Sequence, residues 1–121
     1  MNDPDTSIKD MAAELFDENL VKFHLETAMA AACHYEFFDR LLKLNEECGE
    51  LIAAANRLLR NDRPEATLDA VFEELADVSN VLAQVVAQVS LQGRYESYVN
   101  YLRQKLEKTL WIVERSNGEY D

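Results

Sequence analysis

With 121 residues and 48% hydrophobic content, the chain holds material for one compact domain and little for a second. Its 23 acidic residues against 12 basic ones leave a formal net charge of -11. That balance excludes binding to a nucleic-acid backbone, which needs a basic face, and it repels a polyphosphate unless a cation intervenes.

The first residues carry acids rather than a basic leader, and no apolar run approaches the roughly 18 residues of a membrane span. The sequence therefore predicts a cytoplasmic protein with no membrane partner. Cys33 and Cys48 lie in apolar helical stretches without CxxC spacing, which predicts reduced thiols and argues against a nucleophile. Only three glycines and two prolines interrupt the chain, and Pro4, Pro64, Gly93 and Gly118 fall where helices would start or stop. The expected fold class is all-α, a bundle of four to five helices forming one domain over residues 1–121, with 1–6 and 117–121 as frayed tails.

In chain order, Ser7 and Asp10 resemble a capping pair opening a first helical region, with a break near Asn19 or between Cys33 and Phe37. A second helix is predicted from about Glu36 to Arg60, closed by the polar connection Asn61-Asp62-Arg63-Pro64. A third should begin near Ala66 and end before Gly93. A fourth spans Tyr95 to about Ser116.

Two acidic motifs sit on the second and third of these helices, Glu46-Glu47-Cys48-Gly49-Glu50 and Glu73-Glu74-Leu75-Ala76-Asp77. Glu47 with Glu50, and Glu74 with Asp77, stand three residues apart and so share a helix face. Like charges so placed repel, and they stay solvated or hold a cation. Spacing alone proves little, because Glu14/Asp17, Glu36/Asp39 and Asp62/Glu65 share it, and a solvated acidic face is the ordinary meaning of such pairs.

Helical phase adds more. Val71, Val78, Val81, Leu82, Val85 and Val89 define an apolar stripe into which Glu74 projects, with Asp77 at its edge. A carboxylate facing valines is costly unless paired or coordinated. On the preceding helix Leu44, Cys48, Leu51, Ile52, Ala55 and Leu59 form the apolar face, with Glu47 at its border and Glu50 further out. Gly49 in mid-helix predicts a close approach by a ligand or a neighbouring helix. His24 follows Val21, and His34 follows Ala31, so no Glu-x-x-His is present and a di-iron carboxylate bundle is excluded. Oxygen-only ligation favours a hard cation, Mg²⁺ or Mn²⁺.

Five bases follow Gly93: Arg94, Arg103, Lys105, Lys108 and Arg115. They suit a bound polyphosphate, or equally an exposed face with ordinary ion pairs. Tyr98, Tyr101, Leu102, Leu106 and Trp111 read as packing residues rather than nucleobase platforms.

The stretch Leu42-Lys43-Leu44-Asn45-Glu46-Glu47-Cys48-Gly49-Glu50-Leu51, taken with Glu73-Glu74-Leu75-Ala76-Asp77-Val78, resembles the MazG-type all-α nucleoside triphosphate pyrophosphohydrolases, whose pattern is EExxE followed on the next helix by ExxD. The similarity covers roughly residues 40 to 90 well, the C-terminal helix moderately and the first 35 residues poorly. The resemblance implies Glu47, Glu50, Glu74 and Asp77 as Mg²⁺ ligands. It implies Glu46 and Glu47 as the catalytic carboxylates, with Glu46 binding a second ion or orienting the attacking water. Asn80 would contact the nucleotide, and Lys105 would be the family's late lysine that reaches the phosphates. Where many members place Asn four residues after that lysine, this chain has Thr109, followed by Leu110 and Trp111, so the grip of Lys108 and Arg115 on the triphosphate departs from the family pattern.

The implied reaction is hydrolysis of a (deoxy)nucleoside triphosphate to the monophosphate and pyrophosphate. A homodimer, or a tetramer formed from dimers, would complete the core and share the site. The competing readings are a non-catalytic helical nucleotide-binding or interaction module and a phosphoribosyl-ATP pyrophosphohydrolase.

Overall fold

The computed structural model describes residues 4–15, 17–60 and 65–120. Five helices follow one another: α1 (Pro4–Leu15), α2 (Glu18–His34), α3 (Phe37–Arg60), α4 (Glu65–Leu91) and α5 (Tyr95–Tyr120), with no strand among the described residues. The all-α bundle expected from composition is what forms. Among the described residues no helix is long and apolar enough to cross a membrane.

The first helical region breaks twice, before Glu18 and after His34, where the sequence left one break or the other open. Asp17 caps α2, its side chain accepting from the Asn19 amide at 2.9 Å. Tyr35 ends α2 with extended backbone, and its own amide still donates to the Ala31 carbonyl. Two helix ends differ from expectation. Helix α1 opens at Pro4, a residue preorganised for a first helical position, so Ser7 falls inside the helix instead of capping it. Helix α5 continues through Gly118 to Tyr120, so that glycine is not a stop. Backbone helix thus covers 4–6 and 117–120, which the sequence assigned to tails. The connection Asn61–Pro64 lies outside the described residues. Between α4 and α5 the chain turns at Gly93, whose φ of 74° is the left-handed conformation that glycine adopts without a Cβ penalty.

Helix α4 is the central element, with α2 and α3 packed along it and α5 touching it sparsely. The α2 contact is made through small residues, Ala28 and Ala32 against Ala83 and Ala87, which lets the two helices approach closely. Two polar ties fix its register: His24 Nε2 donates to the Ser79 carbonyl (3.3 Å) and Gln88 Nε2 to the Tyr35 carbonyl (2.9 Å). Val81 and Val85 are buried as the helical phase predicts, and Ala54 on α3 is buried too. Leu82, Ile52 and Leu59, placed in the apolar stripes by sequence, are exposed. Leu82 instead lines an open apolar groove of about 580 Å³ with Leu25, Met29, Val86, Tyr95 and Tyr98, left where α5 departs from α4.

Among the described residues no large side chain is fully buried, and the chain exposes 9998 Å². A folded monomer of this mass exposes about 6,700 Å². On α5, Leu106, Leu110, Trp111, Ile112 and Val113 are all exposed.

A candidate metal centre between α3 and α4

Helices α3 and α4 run antiparallel, since Arg40 bonds across to Gln84 while Glu50, ten residues later, meets Glu74, ten residues earlier. This register places the two acidic motifs face to face. One carboxylate oxygen from each of Glu47, Glu50, Glu74 and Asp77 lies within 4.8 Å of the other three. Glu14/Asp17 and Glu36/Asp39, with the same spacing, do not enter such a group among the described residues, and Asp62 of the pair Asp62/Glu65 lies outside them.

The depth of these carboxylates differs from expectation. Glu47, assigned to a border, is the most buried at 6% exposure, whereas Glu74 is half-buried and Glu50 and Asp77 are exposed. The cause lies in α3 itself: Glu47 and Ala54 are two turns apart on one face, and Ala54 at 1% exposure marks that face as the one pressed inward. Gly49 differs as well. A Cβ there would meet nothing of a neighbouring helix within 4 Å, so close helix packing within one chain does not explain the glycine and the approach of a ligand is the alternative left.

Lys43, one turn before Glu47, offsets part of the negative charge. Its Nζ stands 3.1 Å from Glu47 Oε1 and 3.6 Å from Glu46 Oε2. The hydrogen bond to Glu47, reinforced by the charges of Glu46 and Glu47, raises the lysine above its usual range. Glu50 is also raised, chiefly by the charge of Glu47, then by burial and by Glu74 and Glu46. One oxygen on each of Glu47 and Glu74 is buried with no hydrogen-bond partner. Buried carboxylate oxygens without donors are costly, and a cation removes that cost for all four groups at once. The four-carboxylate set could hold a metal ion.

The remaining candidates divide. Glu46 stands beside the cluster, exposed and paired with Lys43. Asn80 is exposed, one turn beyond Asp77, and its Oδ1 accepts from Gln84 Nε2 at 3.2 Å. Lys105, Lys108 and Arg115 are exposed on α5, and no ion pair joins them to the four carboxylates within the chain. The Arg115 guanidinium lies over the Trp111 ring instead, 4.7 Å from its centre.

Sequence reading assigned no role to Arg40, Lys43, Gln84 or Gln88. The two glutamines carried a signal, because they continue the face of Glu74, Asp77 and Val81 along α4, where apolar residues are expected. They are 6% and 4% exposed. No protein-family model matches the chain, and no solved structure matches it significantly.

Proposed function

We propose that the chain is a Mg²⁺-dependent (Mn²⁺-tolerant) nucleotide pyrophosphohydrolase of MazG type, cleaving a (deoxy)nucleoside triphosphate to the monophosphate and pyrophosphate. The observation that carries this reading is the convergence of Glu47, Glu50, Glu74 and Asp77 with two buried, unpartnered carboxylate oxygens. Those four residues would hold the ion, which when bound lowers the charge on the phosphates and makes the phosphorus more electrophilic.

The chain's own groups account for the rest. Attack by water at the α-phosphorus forms one P–O bond and breaks the bond to the oxygen that bridges the α- and β-phosphates, which departs with pyrophosphate. Glu46, exposed at the rim, accepts the proton of the attacking water, and Lys43 holds both Glu46 and Glu47 in position. No covalent nucleophile is required. Neutralising the leaving pyrophosphate falls to Lys105, Lys108 and Arg115, and in an oligomer these come from α5 of a second subunit. That arrangement also explains why α5 is exposed from Asn100 to Arg115 in one chain.

The test is a panel of canonical and damaged nucleoside triphosphates with Mg²⁺, reading pyrophosphate and monophosphate separately. Equimolar pyrophosphate and monophosphate, abolished by chelator, is the expected result, and release of orthophosphate overturns the cleavage position. Tight nucleotide binding in excess chelator contradicts the role of the ion, because four bare carboxylates repel a triphosphate. A non-catalytic nucleotide-binding module would bind nucleotide with Mg²⁺ and release neither product.

A further inference from the structure

We infer that Arg40 and Gln84 are positioning residues that fix Asn80 as a hydrogen-bond donor to a phosphoryl oxygen of the ligand held at the carboxylate cluster. This rests on the proposed reading that the cluster carries a metal–polyphosphate ligand. Arginine has donors and no acceptor. Its Nη1 lies 3.0 Å from the side-chain oxygen of Gln84, so that amide must turn its carbonyl toward Arg40. The Gln84 amino group is thereby aimed at Asn80 and meets Asn80 Oδ1 at 3.2 Å. The Asn80 carbonyl is occupied, and its Nδ2 amino group is left to face outward from an exposed side chain one turn from Asp77.

Arg40 itself is held for this task. Its guanidinium lies 3.7 Å from the centre of the Tyr35 ring, and Tyr35 is in turn fixed through its carbonyl by Gln88. In a chain with 23 acids, no carboxylate among the described residues pairs with Arg40. A glutamate at position 84 would satisfy the cation better; glutamine is what the relay requires, because it accepts at one end and donates at the other. Gln84 is 6% exposed, so its orientation is not averaged by water.

The decisive variant is Gln84→Glu, which keeps shape and gains an ion pair with Arg40, but presents only acceptors to Asn80. The Asn80 amide must then reverse and show its carbonyl to the ligand, with Asn80 and the cluster untouched. Inorganic tripolyphosphate is titrated against the Mn²⁺-loaded full chain, with Mn²⁺ affinity measured separately. The expected result is a loss of tripolyphosphate affinity of about 10-fold or more, the size of loss seen when a supporting residue fails, with Mn²⁺ affinity unchanged. Asn80→Leu, which removes the donor without adding charge, should lose as much. Arg40→Lys, which keeps a donor-only cation, should retain more affinity than Arg40→Met. Unchanged tripolyphosphate affinity in Gln84→Glu or Asn80→Leu overturns the relay, as does failure of the wild-type, Mn²⁺-loaded chain to bind tripolyphosphate. A wild type that binds tripolyphosphate, loses it on Gln84→Glu and yet cleaves no nucleotide leaves the relay standing while the pyrophosphohydrolase reading falls.

Discussion

Lys43 Nζ stands 3.1 Å from Glu47 Oε1, while the other oxygen of the same carboxylate is buried without a partner. One half of the deepest acid in the cluster is thus neutralised from within α3, and the other half remains available to a cation. Replacing Lys43 by Met should lower the melting temperature of the metal-free protein, because it leaves Glu47 buried among carboxylates with no counter-charge. Saturating Mg²⁺ should restore most of that loss. Thermal unfolding with and without the ion checks this, and equal destabilisation in both states would mean that Lys43 serves packing alone.

Glu50 gives the sign of the pH dependence. Its carboxyl is held above the usual value of 4.5, chiefly by the charge of Glu47. A raised carboxyl means that the fold binds this proton more tightly than the unfolded chain does. Its stabilising contribution is therefore present below pH 4.5 and is lost as pH rises through the raised value. The metal-free wild type should lose stability relative to Glu50→Gln over that window, and Mg²⁺ affinity should rise over the same window as the proton leaves. Glu50→Gln should keep its fold, bind Mg²⁺ at least about 10-fold more weakly and cease turnover, and Asp77→Asn should do likewise. Parallel pH–stability curves for wild type and Glu50→Gln would contradict the repulsion.

Ala54, at 1% exposure, sits one turn beyond Glu50 and sets how closely α3 approaches α4. Ala54→Leu should destabilise the protein by about 1–3 kcal/mol through overpacking. It should also weaken Mg²⁺ binding by splaying the carboxylates. Denaturant unfolding combined with metal titration separates this from a local effect, and a destabilised variant with wild-type metal affinity would show that the cluster tolerates a wider helix spacing.

Much of this arrangement was legible in sequence because helical phase is a local property. The pairing of Glu47 with Glu50 and of Glu74 with Asp77 on shared helix faces, and the burial of Val81 and Val85, follow from residue spacing within single helices. What escaped depends on relations between helices. The greater depth of Glu47 follows from the face that Ala54 presses inward, and the link from Arg40 to Asn80 exists only in the antiparallel register of α3 with α4. Leu82, Ile52 and Leu59 were placed in a core that a single chain does not close.

That open core carries its own prediction. The excess exposed area, roughly 3,300 Å² per chain above the size expectation, exceeds the roughly 1,000–2,500 Å² that each partner of an obligate interface commonly buries. Leu106, Leu110 and Trp111 lie along α5 at helical spacing, all exposed. The wild type should sediment as a homodimer or larger assembly, and Leu106→Glu combined with Leu110→Glu should shift it toward monomer and remove turnover together. A wild type that sediments as a monomer at micromolar concentration, or a monomeric variant with full activity, would contradict a shared site.

The most direct test of the central claim is turnover of a deoxynucleoside triphosphate with Mg²⁺ in ¹⁸O-water, comparing wild type with Glu50→Gln and following the products by ³¹P resonance. Attack at the α-phosphorus predicts label in the monophosphate, unlabelled pyrophosphate and no turnover in the variant. Label in pyrophosphate or orthophosphate, or equal turnover in both proteins, would contradict it.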